Sequence, residues 1–207
     1  MSVFLTSDLH FGHERIIEMC DRPFGSVDEM NEALIANHNN LVNPMDTVYF
    51  LGDVAMGKIA DSLPLVDRMN GVKILIAGNH DRCSPYYKHK REDIRETWYQ
   101  EYRKYFSLII PSIELMLGPH GQSILLHHFP YADPSYKDHS YEGRYQEFQP
   151  ENNNLWLLHG HVHTGWKIKG KQINCGVDVW NFCPVEIAAV QQLMLEQSQE
   201  VQNEQES

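Results

Sequence analysis

The chain has 207 residues, 42% of them hydrophobic and 22% charged, which is enough apolar material for one globular domain. Its formal net charge is −11, and no run rich in Lys or Arg offers the basic face that binds long nucleic acid. We therefore expect no long nucleic acid as a partner. No apolar run approaches the ~20 residues that cross a bilayer, and the first residues lack signal-peptide features, so we expect no membrane partner and a cytoplasmic location.

The first half of the chain alternates strands with helices. Apolar, β-branched runs predict the strands, and apolar residues spaced three and four apart predict the helices. In chain order the predicted elements are a strand at 2–6, a helix at 27–41, a strand at 47–51, a helix at 59–69 and a strand at 72–77. This alternation is typical of an α/β sheet with crossover helices.

The second half is richer in strands. Trp98 and Tyr102 lie four residues apart in a charged segment, 92–106, that predicts an amphipathic helix. Short strands are predicted after it at 108–110, 113–117, 123–126, 155–158, 172–174 and 185–190.

One domain is predicted over residues 1–192, with a helical segment at about 84–106 and a long polar loop at about 131–154. Loops of that length inside a compact domain are often functional. The acidic segment 193–207 is rich in Gln and Glu and has little to bury, so it is predicted to be disordered.

Five short motifs share one pattern, in which an apolar strand is followed by Asp, Asn or His. They are Ser7-Asp8-Leu9-His10, Gly52-Asp53, Gly78-Asn79-His80-Asp81, His127-His128-Phe129-Pro130 and Gly160-His161-Val162-His163. Open α/β sheets bind ligands where their strands end, so we expect these side chains to meet. Alternation in Asp8-x-His10 and in His161-x-His163 predicts that each pair lies on one side of an extended segment.

Together the motifs offer imidazole and carboxylate ligands. This mixture suits Mn, Fe, Zn or Ni, whereas Ca and Mg prefer shells of oxygen alone. One carboxylate can bridge two metals ~3.5–4 Å apart, and a water between such metals becomes a nucleophile near neutral pH. Two such cations would also neutralise the oxygens of a phosphate group as it is attacked in line.

The ordered series D-x-H, GD, GNHD, H and GHxH resembles the calcineurin-like metallophosphoesterase superfamily, and the resemblance spans Asp8 to His163. Three stretches resemble a small bacterial and phage branch of it: Asp8-Leu9-His10-Phe11-Gly12-His13, Cys20-Asp21-Arg22-Pro23-Phe24 and Asn174-Cys175-Gly176-Val177-Asp178-Val179-Trp180. The resemblance implies a four-layer α/β/β/α sandwich of two mixed sheets with flanking helices. It also implies metal-dependent hydrolysis of a phosphate ester by a hydroxide that bridges two metals.

The implied cofactors are two divalent metal ions, with Mn expected first and Fe, Zn or Ni as alternatives. The resemblance implies seven ligands: Asp8, His10 and His163 for the first ion, Asn79, His128 and His161 for the second, and Asp53 as the bridge. Of two adjacent histidines, His128 matches the superfamily's position, and His127 would point the other way on an extended strand.

His80 would be the catalytic residue, which stabilises charge on the phosphate and protonates the leaving oxygen. Protein phosphatases of the superfamily also have an Asp-Arg-Gly whose aspartate orients this histidine. Here Gly52-Asp53 is followed by Val54-Ala55-Met56-Gly57, without that aspartate or arginine. Dephosphorylation of phosphoproteins in that manner is therefore not expected, and Asp81 is a candidate to orient His80.

Four basic side chains are candidates for binding the substrate phosphate: His13, Arg15, Arg22 and Arg82. The first two lie near a predicted helix start, which either binds an anion or is a solvated helix end. Each of the other two could instead form a structural salt bridge. Aromatic side chains could stack on a nucleotide base, although packing in the core is favoured for them: Tyr131, Tyr136, Tyr141, Trp166 and Trp180.

The favoured substrate is a small phosphate ester of nucleotide type, either a diester or a monoester. One alternative is a nuclease acting on nucleic acid ends, which would need a basic groove built from Lys88, Lys90, Arg91, Arg95, Arg103 and Lys104. Another is a scaffold that binds metal and recruits partners without catalysis, although no predicted ligand is missing. The sequence indicates no particular oligomeric state.

Overall fold

The computed structural model describes residues 1–87, 91–132 and 145–206, with side chains described as far as residue 199. In these ranges two five-stranded sheets form the centre of the molecule, and helices flank them. None of the described helices combines the length and the apolar character that are needed to cross a bilayer. The predicted α/β class, with two mixed sheets and flanking helices, is confirmed.

The first sheet consists mainly of parallel strands. It contains β1 Val3–Thr6, β2 Thr47–Phe50, β3 Val72–Ile76, β4 Leu108–Ile110 and β10 Val185–Glu186, in the spatial order β10-β1-β2-β3-β4. Neighbours among β1 to β4 are parallel, and β10 is an antiparallel edge strand. Because parallel neighbours end at the same edge of a sheet, the segments after β1, β2 and β3 lie side by side.

The second sheet is also mixed. It contains β5 Ser112–Leu115, β6 Ile124–His127, β7 Trp156–His159, β8 Ile168–Lys169 and β9 Gln172–Asn174, in the order β5-β6-β7-β9-β8. β6, β7 and β9 are parallel, whereas β5 and β8 are antiparallel to their neighbours. The segments after β6 and β7 therefore lie side by side as well.

Two apolar clusters hold these layers together, and alternate residues of the first sheet belong to different clusters. Leu5 and Ile76 pack with Leu126 and other side chains of the second sheet. Their chain neighbours Phe4 and Leu75 pack on the opposite face with side chains from the helices. Successive side chains of a strand point to opposite faces, so this sheet is buried on both.

The described helices are α1 Glu14–Met19, α2 Val27–Leu41, α3 Ile59–Ser62, α4 Glu92–Tyr102 and α5 Ile187–Glu206. α2 has its predicted bounds, and the Ser26 side chain caps it by accepting from the Glu29 N–H at 3.2 Å. The helix predicted at 59–69 divides into α3 and a 3-10 helix, Leu63–Arg68. Pro64 explains the division, because proline lacks the N–H that a regular helix needs.

The C-terminal region differs from two expectations. The strand predicted at 185–190 is shorter, because α5 begins at Ile187, and α5 continues to Glu206 through the segment predicted to be disordered. Val190 and Met194 are buried four residues apart, so they share one helical face and anchor it in the cluster between the sheets. Half of the loop predicted at 131–154 lies outside the described residues, since 133–144 belong to the part not described.

His38, on α2, gives the fold an acid sensitivity that can be tested. Burial lowers its pKa to about 4, although its hydrogen bond to the Asn70 carbonyl oxygen opposes the shift. Between pH 6.5 and 4 the unfolded chain therefore binds a proton that the folded chain excludes. The free energy of unfolding should fall by about 1.4 kcal/mol per pH unit in this window, and should be recovered above it.

We expect His38→Gln to remove this dependence, since Gln can donate to Asn70 and does not titrate. Urea unfolding at pH 5 and pH 7.5 would measure the difference in the free energy of unfolding between the two pH values. This difference should be about 2 kcal/mol smaller in the variant than in the wild type. The exposed His120 offers a control, His120→Asn, which should keep the wild-type dependence. An equal loss of stability at pH 5 in the wild type and in His38→Gln would contradict the prediction.

Candidate metal centre

Each of the five motifs begins at or just after the end of a strand. Asp8 follows β1, Asp53 follows β2 and Asn79 follows β3. His128 follows β6, and the segment with His161 follows β7. Hydrogen bonds join the turns within each sheet: the Asp8 N–H donates to the Gly52 carbonyl oxygen at 3.0 Å, and the Gly160 N–H donates to the His128 carbonyl oxygen at 3.0 Å.

Five of the seven predicted ligands have a left-handed backbone. The angle φ is 57° at Asp8, 54° at His10, 55° at Asp53, 71° at His161 and 46° at His163. Such a conformation costs ~1–3 kcal/mol in a residue with a side chain, and it is found most often at functional sites. Turns, rather than the expected alternation of an extended segment, therefore bring each pair of ligands to one side.

The three residues predicted to hold the first metal lie together. Asp8, His10 and His163 each place one ligand atom within 4.8 Å of the others. His10 is 2% exposed, and its Nε2 has no hydrogen-bond partner among the described residues. It lies 3.9 Å from Asp8 Oδ1 and 3.8 Å from Asp53 Oδ2. A buried nitrogen without a partner is rare, and a cation among these side chains would satisfy it.

The residues predicted to hold the second metal surround His128. Its Nδ1 lies 2.7 Å from the Leu51 carbonyl oxygen, to which it donates, so the Nε2 of the neutral ring presents a lone pair. That Nε2 lies 3.0 Å from Asn79 Oδ1 and 3.5 Å from Asp53 Oδ2. The His161 ring is 5.2 Å from the His128 ring, measured between centroids. Acceptors at these distances need a proton or a cation among them, and this tautomer is the one that binds metals.

The charges at the site also favour a bound cation. Asp8, Asp53 and His128 are buried, with one ligand atom from each within 4.8 Å of the others. Burial raises the pKa of the Asp53 carboxyl, but His128 and His80 outweigh burial and hold that pKa well below its usual range. Burial lowers the pKa of His128, but Asp53 outweighs burial and raises that pKa to about 9. A metal ion would supply the positive charge that a proton otherwise supplies.

His80 lies beside the predicted ligands with its side chain 26% exposed and its Nε2 4.0 Å from Asp53 Oδ2. Asp81, the candidate to orient His80, makes its hydrogen bonds elsewhere. The buried Asp81 carboxylate accepts from the backbone N–H groups of Asp53 at 2.9 Å, Val54 at 3.1 Å and Gly78 at 2.8 Å. A carboxylate can accept several such bonds, so Asp81 joins the turn after β2 to the turn after β3.

The four basic candidates for substrate binding divide into two pairs. His13 and Arg15 line a cavity beside the predicted ligands. Arg22 does not line the cavity, because it is buried and donates to the Asp178 carboxylate. This contact is the structural salt bridge that was the alternative to phosphate binding. The Arg82 guanidinium lies 4.5 Å from the centroid of the Trp98 ring, a cation–π contact, and Arg82 is not among the described residues that line the cavity.

Three of the aromatic candidates pack within the fold, as favoured. The Tyr131 hydroxyl donates to Asn153 at 2.7 Å, and the Trp180 Nε1 donates to the Asn174 carbonyl oxygen at 2.7 Å. The ring of Trp166 packs against the ring of His159, with centroids 4.6 Å apart. Tyr136 and Tyr141 lie outside the described residues. His127 points away from His128, as predicted, and its Nε2 lies 3.1 Å from the Tyr86 hydroxyl.

Two further residues contact predicted ligands, and the sequence predicted neither of them as a ligand. Asp178 Oδ2 lies 2.9 Å from His163 Nδ1, and the fully buried Phe129 ring lies 5.0 Å from His128 and 4.8 Å from His161, centroid to centroid. Phe129 directly follows the predicted ligand His128, and this position in the motif could have indicated that Phe129 lies at the site. Asp178 could have been found from its motif, although nothing in that motif indicates which ligand it contacts.

Comparison with known proteins agrees with this geometry. The sequence profile of the calcineurin-like phosphoesterase family matches residues 1–165. The chain belongs to the calcineurin-like phosphoesterase family. It is therefore a metal-dependent phosphoester hydrolase, and its side-chain clusters could hold a divalent metal.

The relatives of this phosphoesterase are small proteins of archaeal and phage origin. The uncharacterized protein MJ1445 of Methanocaldococcus jannaschii is 32% identical over 201 residues, which is 93% of this chain and 90% of the relative. The Gene 66 protein of Mycobacterium phage D29 is 32% identical over 187 residues, covering 87% and 89%. The crystal structure of AQ665 from Aquifex aeolicus, a protein of unknown function, superposes with a TM-score of 0.65 at 25% identity, covering 93% of this chain and 98% of that one.

The phosphoesterase has a cavity of about 410 Å³ at the ligand cluster. Asp53, Asn79, His80 and several other histidines line it: His10, His13, His161 and His163. Its lining also includes Arg15 from α1 and apolar side chains such as Ile16 and Met56. Five of the seven predicted ligands and the predicted catalytic residue therefore line one space.

Gly78 shows how closely the backbone approaches this site. A Cβ at position 78 would overlap Asp53 Oδ1 and would lie 2.8 Å from the Asp53 backbone nitrogen and 2.9 Å from His128 Cε1. Gly78→Ala should therefore displace Asp53 and weaken metal binding about 10–100-fold, a typical effect of disturbing the support of a metal ligand. Calorimetric titration with Mn²⁺ would measure it. Gly25→Ala is the control, because its Cβ would meet just the flexible Glu29 carboxylate, at 3.2 Å. Equal Mn²⁺ affinities would contradict the prediction.

Proposed function

We propose that this phosphoesterase hydrolyses a small phosphate ester of nucleotide type, a diester or a monoester, at a centre of two divalent metal ions. The position of Asp53 carries the proposal. Its Oδ2 lies 3.8 Å from His10 Nε2 and 3.5 Å from His128 Nε2. One carboxylate oxygen thus lies between a member of each predicted ligand set, which is the position that a bridging ligand needs.

The donor atoms support Mn as the metal, with Fe, Zn or Ni as alternatives. Imidazole is combined with a carboxylate in one set and, in the other, with the Asn79 amide oxygen and the bridging Asp53. Three residues would hold one ion: Asp8, His10 and His163. Three others would hold the second: Asn79, His128 and His161. When bound, the two ions would neutralise charge on the phosphate and activate water for attack on phosphorus.

The chain's own side chains would perform the remaining steps. His80 would hold a proton at its imidazole and give it to the leaving oxygen. Its backbone N–H donates to Asp53 Oδ1 at 2.8 Å, which fixes His80 relative to the bridging carboxylate. His13 and Arg15, on the cavity wall, would orient the anionic substrate.

The size of the cavity supports a small substrate. A volume of about 410 Å³ lies in the range of pockets for small molecules, ~300–1,000 Å³. The basic groove of a nuclease finds little support, because acidic partners pair with basic residues of its segment. Lys104 lies 2.7 Å from Glu101, and Arg91 lies 2.6 Å from Asp93. Lys88 and Lys90 lie outside the described residues.

The experiment that tests this function compares bis-p-nitrophenyl phosphate, a diester, with p-nitrophenyl phosphate, a monoester. Metal-stripped protein would be reloaded with Mn²⁺, Ni²⁺, Zn²⁺ or Mg²⁺, and cyclic and linear nucleotides would be tested with the best metal. Turnover that needs the added metal is the expected result, and the preferred ester would distinguish a diesterase from a monoesterase. Tight metal binding with no turnover of any ester would instead indicate a non-catalytic scaffold.

A further inference from the structure

A buried ion pair joins two motifs that contribute no predicted metal ligand. Arg22 belongs to Cys20-Asp21-Arg22-Pro23-Phe24, and Asp178 belongs to Asn174-Cys175-Gly176-Val177-Asp178-Val179-Trp180. Arg22 donates from Nε to Asp178 Oδ1 at 2.8 Å and from Nη2 to Oδ2 at 3.0 Å. The two side chains are 0% and 1% exposed. Two parallel hydrogen bonds from a planar guanidinium fix both groups in orientation.

Asp178 also contacts a predicted ligand of the first metal. Its Oδ2 lies 2.9 Å from His163 Nδ1. A carboxylate paired with arginine can only accept, so Nδ1 carries the hydrogen, and in the neutral ring Nε2 then has a lone pair for a metal. Asp8 and His10, the other ligands of this group, lie with that ring in one cluster. The contact therefore sets the tautomer and the ring orientation that metal binding requires.

Arg22 contacts the turn that carries another ligand of the same metal. Its Nη2 donates to the Asp8 carbonyl oxygen at 2.8 Å, and its Nη1 donates to the Leu9 carbonyl oxygen at 3.0 Å. Asp8 has a left-handed φ of 57°, which costs energy for a residue with a side chain. The two hydrogen bonds hold the backbone in this conformation.

A buried ion pair is weak evidence of stability, because apolar residues of similar volume often serve as well. This pair has a second use. Besides a 3.4 Å contact from Arg22 Nη1 to Met30 Sδ, its other hydrogen bonds reach His163 and the turn that carries Asp8, which belong to one predicted ligand group. We propose that Arg22 and Asp178 are positioning residues for the first metal, acting through His163 and through the Asp8 turn. The inference rests on the dinuclear site of the proposed function.

The test is calorimetric titration of metal-free Asp178→Asn with Mn²⁺. Asn keeps the shape of Asp but has one oxygen, which cannot accept from Arg22 and His163 in the way that two carboxylate oxygens do. We expect one of the two ions to bind about 10–100-fold more weakly, and the other to bind as in the wild type. Arg22→Lys keeps the charge and loses the forked contacts, so it should weaken the same ion by a smaller factor.

The control is Glu32→Gln, which breaks an exposed Arg68–Glu32 pair with two contacts of 2.6 Å and should leave both Mn²⁺ affinities unchanged. Wild-type affinity for both ions in folded Asp178→Asn would overturn the inference, even with a lowered melting temperature, because the pair would then serve the fold alone. If Asp178→Asn does not fold, unchanged affinities in Arg22→Lys would overturn it. Fewer than two bound ions in the wild type would overturn the dinuclear site, and this inference with it.

Discussion

Asp53→Asn is expected to lower kcat/KM for a phosphodiester by about 10³-fold or more in the presence of saturating Mn²⁺. The substitution keeps the size of the side chain and an oxygen that can accept from the His80 N–H, now 2.8 Å from Asp53 Oδ1. It removes the negative charge between His10 and His128. Metal ions supply several kcal/mol of transition-state stabilisation, and each ~1.4 kcal/mol is a factor of ten in rate.

The measurement for Asp53→Asn is steady-state hydrolysis of bis-p-nitrophenyl phosphate together with Mn²⁺ titration of the metal-free protein. Asp46→Asn is a matched control, since Asp46 is also a buried carboxylate, 2.8 Å from the Ser2 nitrogen that donates to it. It precedes β2 and so lies at the sheet edge opposite the site. We expect the control to lose stability and to keep metal binding. Wild-type turnover by Asp53→Asn would exclude the bridging role.

His80→Asn is expected to lower kcat by about 10²–10⁴-fold for an ester with a basic leaving oxygen. The loss should be smaller for a p-nitrophenyl ester, because p-nitrophenolate departs without needing a proton. Affinity for Mn²⁺ should change little, since His80 is outside the predicted ligand sets. If His80 is a general acid, the loss of kcat should therefore grow with the basicity of the leaving group. If His80 is a metal ligand or a structural residue, no such trend is expected.

For His80→Asn the comparison is made between a nucleoside monophosphate and p-nitrophenyl phosphate, or between the corresponding diesters, at one metal concentration. His120→Asn serves as the control, because His120 is exposed and has a left-handed φ of 55° that Asn tolerates. An equal loss on both leaving groups, accompanied by weaker Mn²⁺ binding, would show that His80 acts on the metals rather than on the leaving oxygen.

Local patterns in the sequence were sufficient to predict most of the elements of the fold. The spacing of apolar residues predicted α2 with its observed bounds. Apolar runs predicted the described strands to within a few residues, except for the short β8, which was not predicted. The helix at 59–69 was misjudged because Pro64 changes its hydrogen bonding. The C-terminal helix was missed because Val190 and Met194 are stabilised by side chains of distant strands, which no local window contains.

The sequence likewise predicted one part of the candidate site and could not predict the rest. The motifs predicted that Asp8, His10 and His163 would meet, since each follows a strand end. They could not predict the left-handed turns or the use of Asp81 to join two of them. Nor could they pair Arg22 with Asp178, because those residues are separated by 156 positions and the pairing is created by the fold.

Apart from β10, the first sheet is built from residues up to 110 and the second from later residues, and the predicted ligands follow strands of both sheets. β1, β2 and β3 lead to Asp8, Asp53 and Asn79, whereas β6 and β7 lead to His128 and to the segment after it. Bound ions would therefore cross-link the N-terminal and C-terminal halves of the molecule. Because such binding stabilises the folded state by mass action, metal supply would govern the lifetime of the folded enzyme as well as its rate.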